Sequence, residues 1–208
     1  MSQYLKIHPD NPQKQLIQRA VDILQRGGLI VYPTDSCYAL GCHLGNKAAL
    51  DRIRQLRKLD KKHHFTLVCS HLSEISQYAK IDNINYRLIK SLVPGPYTFI
   101  LKATREVPKR LQHPKRKDIG LRVPDNRITQ FLLNTLNEPI MSTTLILPDD
   151  ELPMTDPYQI RLRLEDHVDL IIDGGFCGYD PTSVVDLTTN TPLVLRKGKG
   201  RLEWLYQH

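Results

Sequence analysis

Residues 31–41 read VYPTDSCYALG and follow directly on Leu29-Ile30. The run Leu29–Tyr32 has the length and β-branched content of a buried strand. Pro33 ends that run, and Thr34, Asp35, Ser36 and Cys37 then set two hydroxyls, an acid and a thiol at its tip. A plain turn needs fewer polar groups. A binding edge at the end of a buried strand needs several, because it must meet a ligand with hydrogen-bonding side chains.

The elements on either side of this strand indicate the fold class. Upstream, Asn11-Pro12 is a cap-then-proline helix start, Leu16, Ala20, Ile23 and Leu24 recur at helical spacing, and Gly27-Gly28 supplies the stop. Downstream, a helix is predicted from Asn46, with Ala49, Leu50, Ile53 and Leu56 on one face and Arg57 at its end. A strand is expected over 65–69, then short helices over 72–79 and 84–92, the second capped by Asp82. Pro94-Gly95-Pro96 is a hard break. Strands are expected at 97–103 and 120–124, a helix around Ile128, Phe131, Leu132 and Leu136, and a strand with a turn across 139–147. Asp156-Pro157 repeats the helix-start signature, and VDLIID, SVVDL and PLVLR close the chain as three strands. Helices and strands interleave without clean βαβ alternation. That predicts an α/β (α+β) fold, a sheet of mixed direction with helices on its faces, expected as one domain over residues 1–208.

With 40% hydrophobic and 25% charged residues in 208, the chain has the composition of a globular protein with a substantial core. No run approaches the roughly 18 apolar residues of a membrane span. The N-terminus, MSQYLKIHPDNPQKQ, has no apolar h-region, so a cytoplasmic protein is expected. Cys37, Cys42, Cys69 and Cys177 are then expected to be free thiols, and no ligand spacing predicts a protein-held metal.

The formal charge is +7, from 29 Lys+Arg against 22 Asp+Glu. The excess is clustered at 52–62, 102–117 and 196–201, which favours a polyanionic partner. There is no GxxxxGK[ST], GxGxxG or GxSxG, so a nucleotide here would have to be met by side-chain cations and hydroxyls at strand ends.

Four stretches carry a family resemblance: GGLIVYPTDSCYALG (27–41), PGPYTFIL (94–101), GLRVP (120–124) and VDLIIDGG…PTSVVDL…PLVLRKG (168–198). In this order they resemble the YrdC-like family, whose enzymes include threonylcarbamoyl-AMP synthase. The likeness covers about residues 13–200, and the details SCYALG and STTLILP look like the YciO branch. It implies a twisted, open mixed sheet with a concave basic face. It implies an L-threonylcarbamoyladenylate synthase-type nucleotidyltransferase: threonine and bicarbonate give a carbamate, the carbamate attacks the α-phosphate of ATP, and pyrophosphate leaves. Mg²⁺ would travel with the triphosphate, and the product feeds a modified adenosine in tRNA.

By the same resemblance, Ser36, Arg122, Ser142 and Thr182 fall where the amino acid is held, and Thr34 is a further hydroxyl for it. An arginine at 122 suits a carboxylate because guanidinium offers two parallel hydrogen bonds, although pairing with a structural acid is the plainer alternative. Arg57, His63, Thr144 and Arg196 fall on the nucleotide side, with Arg57 and Arg196 as the catalytic cations. Such a site works by charge and position.

Two departures bear on that side. Leu59 stands where the family has an arginine, and one lost phosphate contact costs around 3 kcal/mol, roughly a hundredfold in rate. Leu145 and Ile146 replace small or polar residues, which is expected to narrow the nucleotide half and weaken or alter activity. The second reading is a binding protein without chemistry, holding double-stranded RNA or tRNA through Lys58, Lys61, Lys62, Lys115, Arg116 and Lys117.

Overall fold

A computed structural model describes residues 2–60, 63, 65–109, 111–112, 115 and 117–206. The elements, in chain order, are β1 (Gln3–Lys6), α1 (Lys14–Gln25), β2 (Ile30–Tyr32), β3 (Ala39–His43), α2 (Lys47–Arg57), β4 (Thr66–Val68), α3 (Leu72–Tyr78), β5 (Ala79–Lys80) and α4 (Asn83–Leu92). They continue with β6 (Tyr97–Ala103), β7 (Asp118–Arg122), α5 (Arg127–Leu136), β8 (Ile140–Thr144), α6 (Pro157–Leu164), β9 (Leu170–Asp173), β10 (Ser183–Asp186) and β11 (Leu193–Arg196). A 3-10 turn spans Glu203–Tyr206.

The strands form one open mixed sheet in the order β1-β9-β2-β3-β8-β4-β7-β6-β10-β11, with β5 beside the far half of β6. Pairing is parallel at β1/β9, β9/β2, β4/β7 and β6/β10, and antiparallel elsewhere.

Side-chain alternation along these strands divides the core in two. Val31, Leu40, Leu67, Phe99, Leu121, Met141, Ile171 and Val185 face one way and are covered by Ala49, Leu50 and Ile53 of α2, Ile75 of α3, Ile89 of α4 and Ile160 of α6. Ile30, Tyr32, Ala39, Val68, Ile140, Leu170 and Ile172 face the other way, under Ile17, Ala20, Val21 and Leu24 of α1 and Ile128, Leu132 and Leu136 of α5. Among the described residues, Val68 of β4 is the last strand residue of that cluster, so the β7–β11 part of this face lies beyond the two helices. The uncovered half of that face is where the cavity lies.

Local chemistry sets the helix boundaries. Asn46, Asp82, Asn126 and Asp156 each accept from a backbone N–H of the first turn, at 2.9, 2.8, 3.0 and 2.9 Å. α1 departs from expectation. It starts at Lys14 behind Gln13, because the N–H groups of Asp10 and Asn11 bond His8 Nδ1 in a turn of their own. Its buried stripe is Ile17, Ala20, Val21 and Leu24, with Leu16 and Ile23 at the margin.

Candidate functional site: a cationic cavity on the bare half of the sheet

A cavity of about 390 Å³ opens on this face. Its floor comes from period-2 pairs on the strands: Thr66 and Val68, Thr98 and Ile100, Ser142 and Thr144, with Thr182 and Val184 at the start of β10. Ala39 on β3 and Arg196 on β11 both line it. Six strand spacings separate those strands, about 29 Å if the sheet were flat. The sheet therefore curls around the cavity, and the curl brings the two ends of the chain's motif set together.

The loop at 33–38 forms one wall. Thr34 Oγ1 donates to the Cys37 carbonyl at 2.6 Å and accepts from the N–H groups of Ser36 and Cys37 at 3.1 and 3.2 Å. Its shortest bonds go into the turn, a longer one at 3.3 Å is accepted from Arg122 Nη2, and it does not line the cavity. Ser36 does, and its Oγ accepts from Arg122 Nη2 at 3.0 Å. The loop between β9 and β10 closes over this wall. Tyr38 Oη donates to the Gly175 carbonyl at 2.7 Å, and a Cβ on Gly178 would meet the Ser36 carbonyl at 3.2 Å.

Arg122, at the end of β7, lines the cavity and pairs with Asp35. The plainer sequence alternative, an acid partner for this arginine, is thus present. Arg57, at the last turn of α2, donates from Nε to the Ile146 carbonyl at 2.6 Å and from Nη1 to Thr143 Oγ1 at 2.8 Å. Arg196 donates from Nε to the Thr182 carbonyl at 2.9 Å and from Nη2 to Thr182 Oγ1 at 3.1 Å.

Among the described residues, neither Arg57 nor Arg196 meets a carboxylate, so the cavity holds surplus positive charge. Burial lowers both pKa values, a desolvation cost that an arriving anion relieves. Burial also raises the Cys37 thiol, opposed by the charges of Arg122 and then Arg196, so both guanidiniums act at one place.

The hydroxyls are directional. Ser142 Oγ donates to the Leu40 carbonyl at 2.9 Å and accepts from Tyr32 Oη at 2.7 Å, which leaves it able only to accept from a ligand. Thr182 shares a 2.8 Å bond with Thr98. His63 Nε2 lies 3.1 Å from Thr143 Oγ1, and both His63 and Thr144 line the cavity.

The two sequence departures land differently. Leu145 is fully buried in the core of the opposite face and takes no cavity space. Ile146 lines the cavity. Leu59 packs against the core and brings no charge to the site.

The expected RNA set is split. Lys58 follows α2 beside the cavity, whereas Lys117 precedes β7 and stands about 17 Å along that strand from Arg122. Lys115 belongs to the same far loop, and Lys61, Lys62 and Arg116 lie outside the described residues.

Thr66, Val68, Thr98, Ile100 and Val184 line the cavity without having been singled out in the sequence. Their signal was there in the i, i+2 pairs of short strands, but it becomes readable only once the facing side is known.

The architecture is thus an open mixed α/β sheet whose cavity gathers three arginines and a band of hydroxyls. The chain belongs to the Sua5/YciO/YrdC family, described as telomere recombination, whose sequence model matches residues 22–198. It is 56% identical to the YciO protein of Escherichia coli K12 over 200 residues, 96% of this chain and 97% of that one. The crystal structure of E. coli YciO superposes with a TM-score of 0.94, covering 97% of this chain and 98% of the other. A threonylcarbamoyl-AMP synthase of Photobacterium profundum is 27% identical over 186 residues, 88% of this chain and 98% of its own. The P. abyssi Sua5 structure complexed with L-threonine has the same fold, with a TM-score of 0.89 at 23% identity, over 97% of this chain and 59% of that one. Among the described residues no helix is long and apolar enough to cross a membrane.

Proposed function

We propose that this chain is an ATP-dependent L-threonylcarbamoyladenylate synthase-type nucleotidyltransferase, acting on threonine, bicarbonate and ATP in the supply of threonylcarbamoyladenosine in tRNA. The observation that carries this reading is the convergence of Arg57, Arg122 and Arg196 on one 390 Å³ cavity with a band of hydroxyls. Arg57 and Arg196, with no acid opposite them among the described residues, suit the triphosphate, with His63 and Thr144 beside it. Arg122, Ser36, Ser142 and Thr182 suit a small amino acid bearing a carboxylate and donors. The cavity lining includes no carboxylate among the described residues, so Mg²⁺ would arrive on the phosphate oxygens.

The chemistry asked of the protein is position and charge. The carbamate oxygen attacks the α-phosphorus, the bond to the β-phosphate bridging oxygen breaks, and the cations neutralise the departing pyrophosphate. The missing cation at 59 and the intruding Ile146 imply a slower reaction than a synthase with both features.

Incubation of the pure protein with threonine, bicarbonate, Mg²⁺ and ATP should release pyrophosphate. The rate for Arg196→Ala should fall by about a hundredfold. Release no greater than that of Arg196→Ala removes this reading.

A further inference from the structure

Arg122, which lines the cavity, and Asp35, which stands behind it outside the lining, form a buried ion pair, each side chain 9% exposed. The pair is incompletely satisfied. Arg122 Nη2 donates to Asp35 Oδ1, to Ser36 Oγ at 3.0 Å and to Thr34 Oγ1 at 3.3 Å. Meanwhile, among the described residues, Arg122 Nε has no acceptor and Asp35 Oδ2 has no donor. Unmet polar atoms in a buried pair are unfavourable, and they indicate what would complete it.

The fold holds Asp35 in place independently of Arg122. Lys199 Nζ donates to the Asp35 carbonyl at 2.5 Å, and the Thr34 turn pins the backbone that follows. The carboxylate therefore stays beside the arginine that a ligand must use.

Charge decides which ligand fits. The pair is neutral, so a ligand that parts it must bring an acceptor for Arg122, a donor for Asp35 and no net charge. An α-amino acid does this, with its carboxylate toward Arg122 and its ammonium toward Asp35. A hydroxy acid or simple carboxylate brings the acceptor but no cationic donor, and sets an uncompensated negative charge against Asp35. Arg57 and Arg196 are anchored on the Ile146 and Thr182 carbonyls rather than on Asp35.

We infer that Asp35 is a specificity-determining residue of this cavity, admitting zwitterionic amino acids and rejecting carboxylates that lack the ammonium. The inference rests on the reading above that an amino acid occupies the Arg122 end of the cavity.

Calorimetric titrations of the full chain with L-threonine and with 3-hydroxybutanoate, which lacks only the ammonium, test it. The wild-type protein should bind threonine about tenfold more tightly, or better. Asp35→Asn keeps the shape and removes the charge. It should weaken threonine by about tenfold while leaving 3-hydroxybutanoate bound as well or better, so that the preference collapses. Equal affinities in the wild type, or a wild-type ratio in a folded Asp35→Asn protein, overturn the inference and leave the amino-acid reading standing. Threonine that does not bind at all removes both. If Asp35→Asn does not fold, the two wild-type titrations still decide.

Discussion

Thr34 and Ser36 look interchangeable in the string PTDS, yet the fold uses them differently. Thr34 is a buried joint of the turn, with one hydroxyl serving three backbone groups. Thr34→Val preserves the shape and strands two N–H groups and a carbonyl, so stability should drop by about 2–3 kcal/mol, read as a shift in the urea midpoint. A variant that melts like the wild type but binds threonine poorly would instead make Thr34 a ligand contact. Residue identity showed that polar groups gather here. It did not show which of them the backbone would consume, because that depends on where the Cys37 carbonyl and Arg122 come to rest.

Strands and helices differ in how legible they were. The helices at 47–57, 83–92, 127–136 and 157–164 are readable from caps and apolar spacing, since both act within a few residues. β1, β3 and β5 were not expected. β5 has two residues, and β3 reads ALGCH with no alternation, because core residues pack on both faces of the sheet. β7 shows an element serving the site through a missing side chain. A Cβ on Gly120 would lie 3.0 Å from Thr66 Oγ1, 3.2 Å from the Phe65 carbonyl and 3.4 Å from Thr98 Cγ2. The carbonyl belongs to the backbone leading into β4 and cannot swing away. Gly120→Ala should therefore cost about 1–2 kcal/mol of stability and weaken ATP binding in a titration. Wild-type values for both would mean that the floor yields.

Across the whole chain, buried acids set the alkaline limit of stability. Burial pushes Cys177 up to about 11 and Tyr32 up to about 12, and it also raises Cys37, Cys69 and Tyr38. A folded-state pKa above the unfolded value favours folding fully below the unfolded pKa, and that contribution disappears as pH rises toward the folded one. The melting temperature should therefore hold to about pH 8.5, where unfolded cysteine begins to ionise, and fall between there and pH 11. Cys177→Ser, which does not titrate there, should flatten the decline. A melting temperature constant to pH 11 would contradict the burial of these thiols.

Short-range chemistry was settled by the order of residues alone: the helix starts at Asn46, Asp82 and Asp156, the Gly27-Gly28 stop, the buried strand at 30–32 and the polar tip after it. These depend on forces acting within one or two turns of chain. The meeting of Arg57, Arg122 and Arg196 was not settled that way, since it arises from the curl that brings β3 toward β11 around a face that α1 and α5 leave bare. Nor was the pairing of Asp35 with Arg122, or the turning of Leu145 into the core while Ile146 faces the cavity. Those follow from register and curvature, which sum small twists over many strands and leave no trace in any single stretch of sequence.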